Sequence, residues 1–544
     1  MLEVTLASRF EPGANLKGKL PGAAWPFLLP RLDLEKVLCL GPPSPATLST
    51  LQRMAREVLV VEGWSGSRLP LEDASTDLAV LIGRSPMRNV QHGRGLADEL
   101  RRVLRPDGLT YLEPAGPSSR RRCLSALDVL GDGMALWLGP VWGEVKAAVA
   151  GGEVRVVRFF VEGALHRAPG ALSGRRRVLG RVRRLVSGSR IVSRAAPRYG
   201  ALVGANSSPP SYLAAIARAS GIDLDGYRWG LAAPGAYASQ KILFFLFPPS
   251  GSGSAPVPRY VVKVPHSRDL SPRLENAWRA LTQLRDLGIG DSETVPQPAF
   301  FGHHRALAIV GETALAGTGF RRRSGRSADC PYFASALEWI LRLAEAPVGR
   351  SLADPARVAE GLRKLFGRFN EIYDLSSAHR EFLSGEIESL GRVSEPFPAV
   401  IQHGDPGTWN LLVTASGRVA FLDWEAAEAR GMPLWDLLYF MRSYGILLSR
   451  HQGVRDSLEG FARQYLADTE LGQTLAGASR RLSETIGLAG EFVRPLFFTC
   501  WMHRALKEAG TLTPDRLESG RYLNLLRRCI GERDQPSLRR LFNG

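Results

Sequence analysis

The chain has 544 residues, of which 44% are hydrophobic and 23% charged, and its formal net charge is +17. This composition excludes a disordered chain, and the length suffices for two to four domains with their own cores. The five cysteines are scattered without paired metal-ligand spacing, and no run of about 18 apolar residues occurs, the length a spanning helix needs. Since the N-terminus lacks a basic-then-apolar signal pattern, we expect a cytoplasmic protein without structural zinc or a membrane-spanning helix.

Residues 1–165 are predicted to form a doubly wound, Rossmann-like α/β domain. The apolar patterns predict strands at 35–41, 57–62, within 69–82 and at 109–112, with helices at 45–56 and 96–104 between them. Strands that alternate with helices over short links are typical of a parallel sheet covered on both faces.

Two phrases of this part resemble class I S-adenosylmethionine-dependent methyltransferases. They are Leu69–Leu78 (Leu-Pro-Leu-Glu-Asp-Ala-Ser-Thr-Asp-Leu) and Glu99–Gly108 (Glu-Leu-Arg-Arg-Val-Leu-Arg-Pro-Asp-Gly). In that family the first strand normally ends in an acidic residue and a loop with several glycines, whereas Cys39–Pro45 keeps one glycine and has three prolines. Glu62, at the end of the second strand, could still accept ribose hydroxyls. We therefore expect a methyltransferase-like fold that no longer binds S-adenosylmethionine, or binds it poorly.

An arginine-rich segment, predicted as an amphipathic linker over residues 166–205, follows. Between Gly163 and Ile222 the chain has eleven arginines and no acidic residue. A basic amphipathic helix can lie on an anionic membrane or bind another polyanion, and a solvated linker is the alternative. Nucleic acid is disfavoured because no aromatic side chain interrupts the arginines before Tyr199. Peripheral attachment to a membrane therefore remains open.

Residues 206–318 are predicted as a small α+β lobe. A helix is predicted at 211–220, strands at 227–230, 241–247, 259–264, 295–300 and 307–310, and a further helix at 272–287. Lys263 lies inside an apolar strand, where a lysine is costly unless it is paired or faces water at a sheet edge.

The stretch 401–425 contains a carboxylate, an amide five residues later and a second carboxylate: Asp405, Asn410 and Asp423. Two short apolar strands, 411–413 and 419–422, flank a turn signal. A two-residue turn at Ser416-Gly417 would place Asn410 directly opposite Asp423, with Cβ atoms ~4.5–5.5 Å apart, close enough to share one metal ion. An ordinary hairpin with polar caps is the alternative interpretation.

The order His403-Gly404-Asp405, four residues, Asn410, an apolar strand and Leu-Asp-Trp-Glu resembles the aminoglycoside and choline phosphotransferase families. The resemblance implies a bilobal protein-kinase-like fold for residues 206–544, with the large lobe at 319–544. It implies that Asp405 is the catalytic base and that Asn410 and Asp423 hold Mg²⁺. His403 joins the catalytic group, with bracing of the loop as its expected role.

The same resemblance assigns the ATP site to the small lobe. Lys263, paired with Glu275 on the following helix, would hold the α- and β-phosphates, and the turn containing Gly235 and Ser239 would cover the phosphates. The turn keeps one glycine where the family usually has a pair. Asp436 is expected to be structural.

These assignments predict an ATP- and Mg²⁺-dependent phosphotransferase that acts on a hydroxyl of a small molecule, such as a sugar, an aminoglycoside-like compound or a lipid-linked acceptor. The basic charge balance favours a neutral or anionic acceptor over a cationic one. The competing hypotheses are a catalytically weak pseudokinase, a bifunctional methyltransferase-kinase, and a scaffold that docks on a membrane through its arginines.

Overall fold

The computed structural model describes residues 4–9, 23–61, 64, 68–82, 90–113, 120–139, 147–150, 153, 155–160, 198–233, 241–249, 257–325, 327, 329–346 and 351–542. The chain divides into two compact units. Unit 1 comprises Met1–Leu274 and Ala299–Ala314, and unit 2 comprises Glu275–Pro298 and Leu315–Gly544. Within the described ranges, no helix is both long enough and apolar enough to cross a membrane.

Unit 1 is built on one sheet. Its strands are β1 Val4–Arg9, β2 Leu34–Leu40, β3 Ala55–Val61, β4 Thr76–Ile82, β5 Leu104–Glu113, β6 Gly133–Gly139, β7 Ala147–Ala150, β8 Arg198–Val203, β9 Arg228–Ala232, β10 Lys241–Phe247, β11 Tyr260–Pro265, β12 Pro298–His304 and β13 Leu307–Thr313. The 13 strands follow the order β1-β3-β2-β4-β5-β8-β6-β7-β9-β10-β11-β13-β12. Helices α1 Pro45–Met54, α2 Val90–Val103, α3 Arg120–Leu130 and α4 Ser211–Ala219 accompany it.

Four neighbouring strands, β3, β2, β4 and β5, are parallel, as the alternation of strands and helices predicted. Helix α1 connects β2 to β3, and the Ser44 side chain accepts a hydrogen bond from the Thr47 amide at its N-terminus. Gly41, which follows β2, has φ +96°, and a Cβ there would lie 2.2 Å from the Ile82 carbonyl oxygen. The backbone packing against β4 is therefore sufficient to require glycine at this position, and a bound cofactor is not needed to explain it. Glu62 lies outside the described residues.

The arginine-rich linker predicted over 166–205 ends earlier than expected. Arg198–Val203 forms β8, which lies between β5 and β6 and is antiparallel to both. Its consecutive residues Ala201 and Leu202 are both fully buried. Because successive side chains of a strand point to opposite faces, β8 is buried on both faces of the sheet. Residues 161–197, which carry most of the arginines, lie outside the described residues.

The predicted separation between the N-terminal domain and the small lobe is also absent from the sheet. Strand β7 pairs with β9, with Ala148 opposite Leu231. The pairing covers an edge of each strand that would otherwise expose unpaired backbone groups. The strands at 228–232, 241–247, 260–265, 298–304 and 307–313 thus continue the N-terminal sheet. Unit 1 combines the N-terminal part with most of the predicted small lobe, whereas residues 275–298 and 315–318 belong to unit 2.

Unit 2 is largely helical around one core. Its helices are α5 Ser271–Asp286, which begins in unit 1, α6 Phe320–Arg323, α7 Pro331–Glu345, α8 Pro355–Ile372, α9 Ser377–Gly391, α10 Trp435–His451, α11 Ser457–Phe461, α12 Glu470–Ile486, α13 Val493–Ala509, α14 Arg521–Gly531 and α15 Pro536–Phe542. Six short strands are β14 Thr318–Gly319, β15 Ser351–Ala353, β16 Phe397–Gln402, β17 Leu411–Val413, β18 Val419–Phe421 and β19 Glu428–Gly431. They form two sheets of order β14-β17-β18 and β15-β16-β19.

Candidate active site

The loop 403–410 joins β16 to β17 and carries the predicted catalytic residues. Gly404 has φ +75°, and a Cβ at this position would lie 1.9 Å from the Ala426 carbonyl oxygen. Only glycine satisfies both the left-handed backbone and this close approach. The glycine between His403 and Asp405 therefore fixes how the loop packs on the turn after β18.

The hairpin after this loop forms, but its register differs from the prediction. Leu411 pairs with Phe421, and Leu422 donates its amide to the Asn410 carbonyl oxygen at 2.8 Å. Asn410 therefore lies opposite Leu422 rather than opposite Asp423. The cause is a three-residue loop with Gly417 at φ +85°, a common alternative to the two-residue turn that we assumed.

Asp423 is held by its backbone at the start of a short 3₁₀ helix, Trp424–Ala426. Its φ of +71° lies in the left-handed region, which is uncommon for a residue with a Cβ and typical of functional positions. The turn is braced from α5, because Nδ2 of Asn276 donates to the carbonyl oxygens of Glu425 at 3.1 Å and Ala427 at 2.8 Å.

Asp405 and Asn410 are directly connected. Nδ2 of Asn410 donates to the Asp405 carbonyl oxygen at 2.9 Å and to Oδ2 of the same residue at 3.0 Å. Both amide hydrogens are thereby used, which leaves the Asn410 Oδ1 as an acceptor. The Asp405 side chain remains 31% exposed, so a molecule from solvent can reach it.

The donor set fits a magnesium ion. The Asn410 Oδ1 and the Asp423 carboxylate are the hard oxygen ligands that Mg²⁺ takes, and Mg²⁺ usually binds through one or two such groups plus phosphate oxygens and water. The two hydrogen bonds to Asp405 occupy Nδ2 of Asn410, so Oδ1 is the atom of this amide that could bind a metal ion.

His403 braces the loop through both ring nitrogens. Nε2 donates to the Leu422 carbonyl oxygen at 2.9 Å, and Nδ1 accepts the Asp405 amide at 3.2 Å. The ring is fully buried against Trp424, and this burial lowers the pKa of His403 to about 4. A neutral imidazole whose nitrogens are both engaged holds Asp405 in place and has no free position for a proton shuttle.

Asp436, on α10, holds the same loop through hydrogen bonds to its backbone. Its carboxylate accepts the amides of His403 at 2.6 Å and Gly404 at 3.0 Å. Burial raises the pKa of Asp436 to about 6, and the two amides and the Arg504 charge oppose this rise. These bonds agree with the structural role expected for it.

Two further basic residues reach the loop from α13, and the sequence analysis missed both. Arg504 is 5% exposed, donates to the Gly404 carbonyl oxygen at 3.0 Å and lies 3.4 Å from Asp405 Oδ1. Its guanidinium lies over the Tyr439 ring at 3.3 Å. One turn later, Lys507 Nζ lies 3.4 Å from the Gly404 oxygen, and burial lowers its pKa to about 8. A contact across about a hundred residues has no local sequence signal.

Of the predicted nucleotide residues that the structure describes, Lys263 lies in unit 1 and Glu275 in unit 2. Lys263 is 4% exposed and forms an ion pair with Glu312, Nζ to Oε2 2.9 Å. The partner of Lys263 is thus Glu312 on β13, and the prediction that named Glu275 is corrected. Lys263 lies opposite Val310, so Glu312 is its diagonal neighbour on the same face of the sheet, within reach of a long side chain. Gly235 and Ser239 lie outside the described residues.

Residues 251–480 match the model of the phosphotransferase enzyme family. Among curated proteins, no significant match was found. Similar solved structures include aminoglycoside phosphotransferase APH(3'')-Id from Streptomyces rimosus with ADP and streptomycin (16% identity, 56% of this chain and 98% of that chain, TM-score 0.33). Another is a glucosamine kinase with glucosamine, ADP and phosphate (13% identity, 57% of this chain and 91% of that chain, TM-score 0.34). A third is a choline/ethanolamine kinase family protein from Mesorhizobium loti (14% identity, 57% of this chain and 91% of that chain, TM-score 0.33). The matched residues contain the whole loop described above, so the similarity to the phosphotransferase enzyme family lies in the C-terminal part of this chain.

Proposed function

We propose that the protein transfers the γ-phosphoryl group of ATP to a hydroxyl of a small molecule, in a reaction that requires Mg²⁺. The observation that carries the proposal is the partly exposed Asp405 carboxylate of the loop 403–410, which Asn410 and Arg504 contact while His403 accepts the Asp405 amide. A rigidly held carboxylate that solvent can reach is what general-base catalysis on a hydroxyl needs.

In the proposed reaction Asp405 accepts the proton of the acceptor hydroxyl. The acceptor oxygen forms a bond to the γ-phosphorus, the bond from the γ-phosphorus to the bridging oxygen breaks, and ADP leaves with that electron pair. Asn410 and Asp423 would hold Mg²⁺, which when bound neutralises charge on the phosphate oxygens. His403 and Arg504 keep the carboxylate in position and take no part in the proton transfer.

The test is phosphoryl transfer from labelled ATP to a panel of sugars and amino sugars by wild-type protein and Asp405→Asn. A general base typically contributes about 10²–10⁴-fold in rate, so we expect a loss of that order while the affinity for ATP changes by less than about twofold. Asp456→Asn is the matched control, because Asp456 caps α11 with a side-chain oxygen that asparagine also supplies. Unchanged turnover by Asp405→Asn would refute the assignment.

For the N-terminal part we propose a methyltransferase-like fold that has lost S-adenosylmethionine binding. The parallel order β3-β2-β4-β5 supports the fold, and the packing of Gly41 against Ile82 supports the loss, because it gives this glycine a purely structural reason. Calorimetric titration of the full-length protein with S-adenosylmethionine is expected to give no heat of binding, and micromolar affinity would contradict the proposal.

A further inference from the structure

Arg321 lies beside the catalytic loop, although it is more than eighty residues away in the chain. It stands on the short helix α6, which directly follows β14, and β14 pairs with β17 through Gly319 and Leu412. This pairing brings α6 to the loop residues just before β17. Nε of Arg321 donates to Oγ1 of Thr408 at 3.1 Å, and the guanidinium is thereby fixed in direction.

The guanidinium also lies over an indole. Arg321 Cζ is 5.1 Å from the centroid of the Trp409 ring, a distance at which a cation and an aromatic ring attract each other. Trp409 directly precedes Asn410 and is 45% exposed. An exposed tryptophan in a loop fixed on both sides is a surface that a ligand with an apolar face can contact.

A row of contacts links Arg321 to the catalytic carboxylate. The Trp409 ring meets the edge of Tyr439, with centroids 5.9 Å apart. Tyr439 carries Arg504 on its face at 3.3 Å, and Arg504 contacts Asp405. Trp409 and Asp405 thus belong to the same loop, 403–410, and to one continuous row of side-chain contacts.

The charge of Arg321 is not balanced by a neighbour. Within the described ranges, no ion pair to a carboxylate is present for Arg321, and its Nη atoms remain for a further acceptor. Partial burial and the charge of Arg450 both lower the pKa of Arg321, so a second cation lies close to it. Among the described residues neither arginine forms an ion pair with a carboxylate, and two such cations produce a local positive potential that attracts an anion. A guanidinium with two free nitrogens suits a carboxylate or a phosphate in particular.

We propose that Arg321 and Trp409 form the acceptor subsite and that it selects a ring-bearing acceptor with a carboxylate or phosphate group. The inference rests on the proposed phosphoryl transfer at Asp405. Arg321 binds the anionic group, the exposed part of Trp409 contacts the apolar face of a sugar-like ring, and the hydroxyl to be phosphorylated faces Asp405.

The test is calorimetric titration of the full-length protein with four probes of similar size: glucose, glucuronate, glucose 6-phosphate and glucosamine. For wild-type protein we expect at least one anionic probe to bind about tenfold or more tightly than glucose, since a charge-assisted pair is worth that much. Which anion binds distinguishes carboxylate from phosphate. In Arg321→Gln the affinity for the anionic probe should fall to within about twofold of that for glucose, because the charge-assisted pair with Arg321 is lost.

Two further variants make the result specific. Arg323→Gln removes a cation from the same helix that lies over Tyr332 and should keep the preference. Arg321→Lys keeps the charge but loses the bond to Thr408, so it should keep part of the preference for the anionic probe. A retained preference would show that Arg321→Gln loses it through the missing charge and not through a loosened loop. A preference for glucosamine, equal binding of all probes, no binding of either anion up to about 10 mM, or an unchanged preference in Arg321→Gln would overturn the proposal.

Titration with ADP distinguishes an acceptor site at Arg321 from a nucleotide site. If Arg321 instead bound the phosphates of the nucleotide, Arg321→Gln would weaken ADP about tenfold, an outcome that also overturns the acceptor assignment; we expect a change below about twofold. Failure of the proposed function is a separate result, because it is the absence of Asp405-dependent phosphoryl transfer, and the probe titrations do not depend on turnover.

Discussion

Arg504 offers the sharpest test of how the catalytic loop is held, through the change Arg504→Met. Methionine keeps most of the volume but removes the bond to the Gly404 carbonyl oxygen, the contact with Asp405 and the cation over Tyr439. The charged hydrogen bond is worth about 1.5–3 kcal/mol and the desolvated cation–π contact up to about 2 kcal/mol. Burying the guanidinium costs several kcal/mol in the other direction.

Because these terms oppose each other, we expect the free energy of unfolding to change by about 1 kcal/mol or less. The effect on catalysis is larger, because Gly404 and Asp405 lose the side chain that fixes them from α13. Misplacement of a base on that scale lowers kcat by about 10²-fold, or roughly 2.7 kcal/mol of barrier. The KM for ATP should not move, since Arg504 acts through Asp405 and not on the nucleotide.

The assay is phosphoryl transfer from labelled ATP, with thermal unfolding of each variant measured in parallel. Arg504→Lys restores the charge without the planar fork and should recover part of the lost rate. Arg540→Met, which breaks the exposed ion pair with Asp468, is the control and should leave kcat unchanged. A folded Arg504→Met protein with kcat within about twofold of wild type would refute the positioning role, because a displaced Asp405 should lower kcat far more.

Three other changes test the loop and its neighbours. Gly404→Ala should lower the melting temperature far more than Gly487→Ala, because both glycines have φ near +70° but a Cβ at Gly487 meets no atom within 4 Å. Gly487→Ala is the control that measures the left-handed backbone cost alone, about 1 kcal/mol. Equal decreases for the two variants would show that the clash with Ala426 does not contribute. The pKa of Asp436 is raised from 3.8 to about 6, so its contribution to stability is full below pH 3.8 and is lost as pH rises through 6. Asp436→Asn should therefore flatten the plot of unfolding free energy against pH in this range, measured by denaturant unfolding. An unchanged slope of that plot would contradict the raised pKa. Burial and the charge of Arg504 lower the pKa of Lys507 from 10.5 to about 8. The rate of its acetylation, read by mass spectrometry as a function of pH, should therefore rise through a midpoint near pH 8, and a midpoint near 10.5 would contradict the lowered pKa.

Local patterns determined much of the site in advance. The order of His403, Asp405 and Asn410, and the two apolar strands that follow, were enough to locate the loop and the hairpin, because loop and hairpin depend on residues close in sequence. Asp423 was found for the same reason. The pattern could not fix the register, since loops of two and three residues fit the same turn signal and the choice rests on the left-handed conformation of Gly417.

What only the tertiary structure decided depends on contacts between distant segments. The sequence of the arginine-rich region shows no sign that Arg198–Val203 becomes an interior strand, because a strand position depends on which edge is available to pair. The pairing of Lys263 with Glu312 follows from the order of β11 and β13 in the sheet. Arg321 and Arg504 reach the loop through strand pairing and helix packing, and no local rule assigns them there. The sequence by itself therefore located the loop and its polar residues, whereas the residues that hold the loop, and the partner of the buried lysine, were decided by packing across the fold.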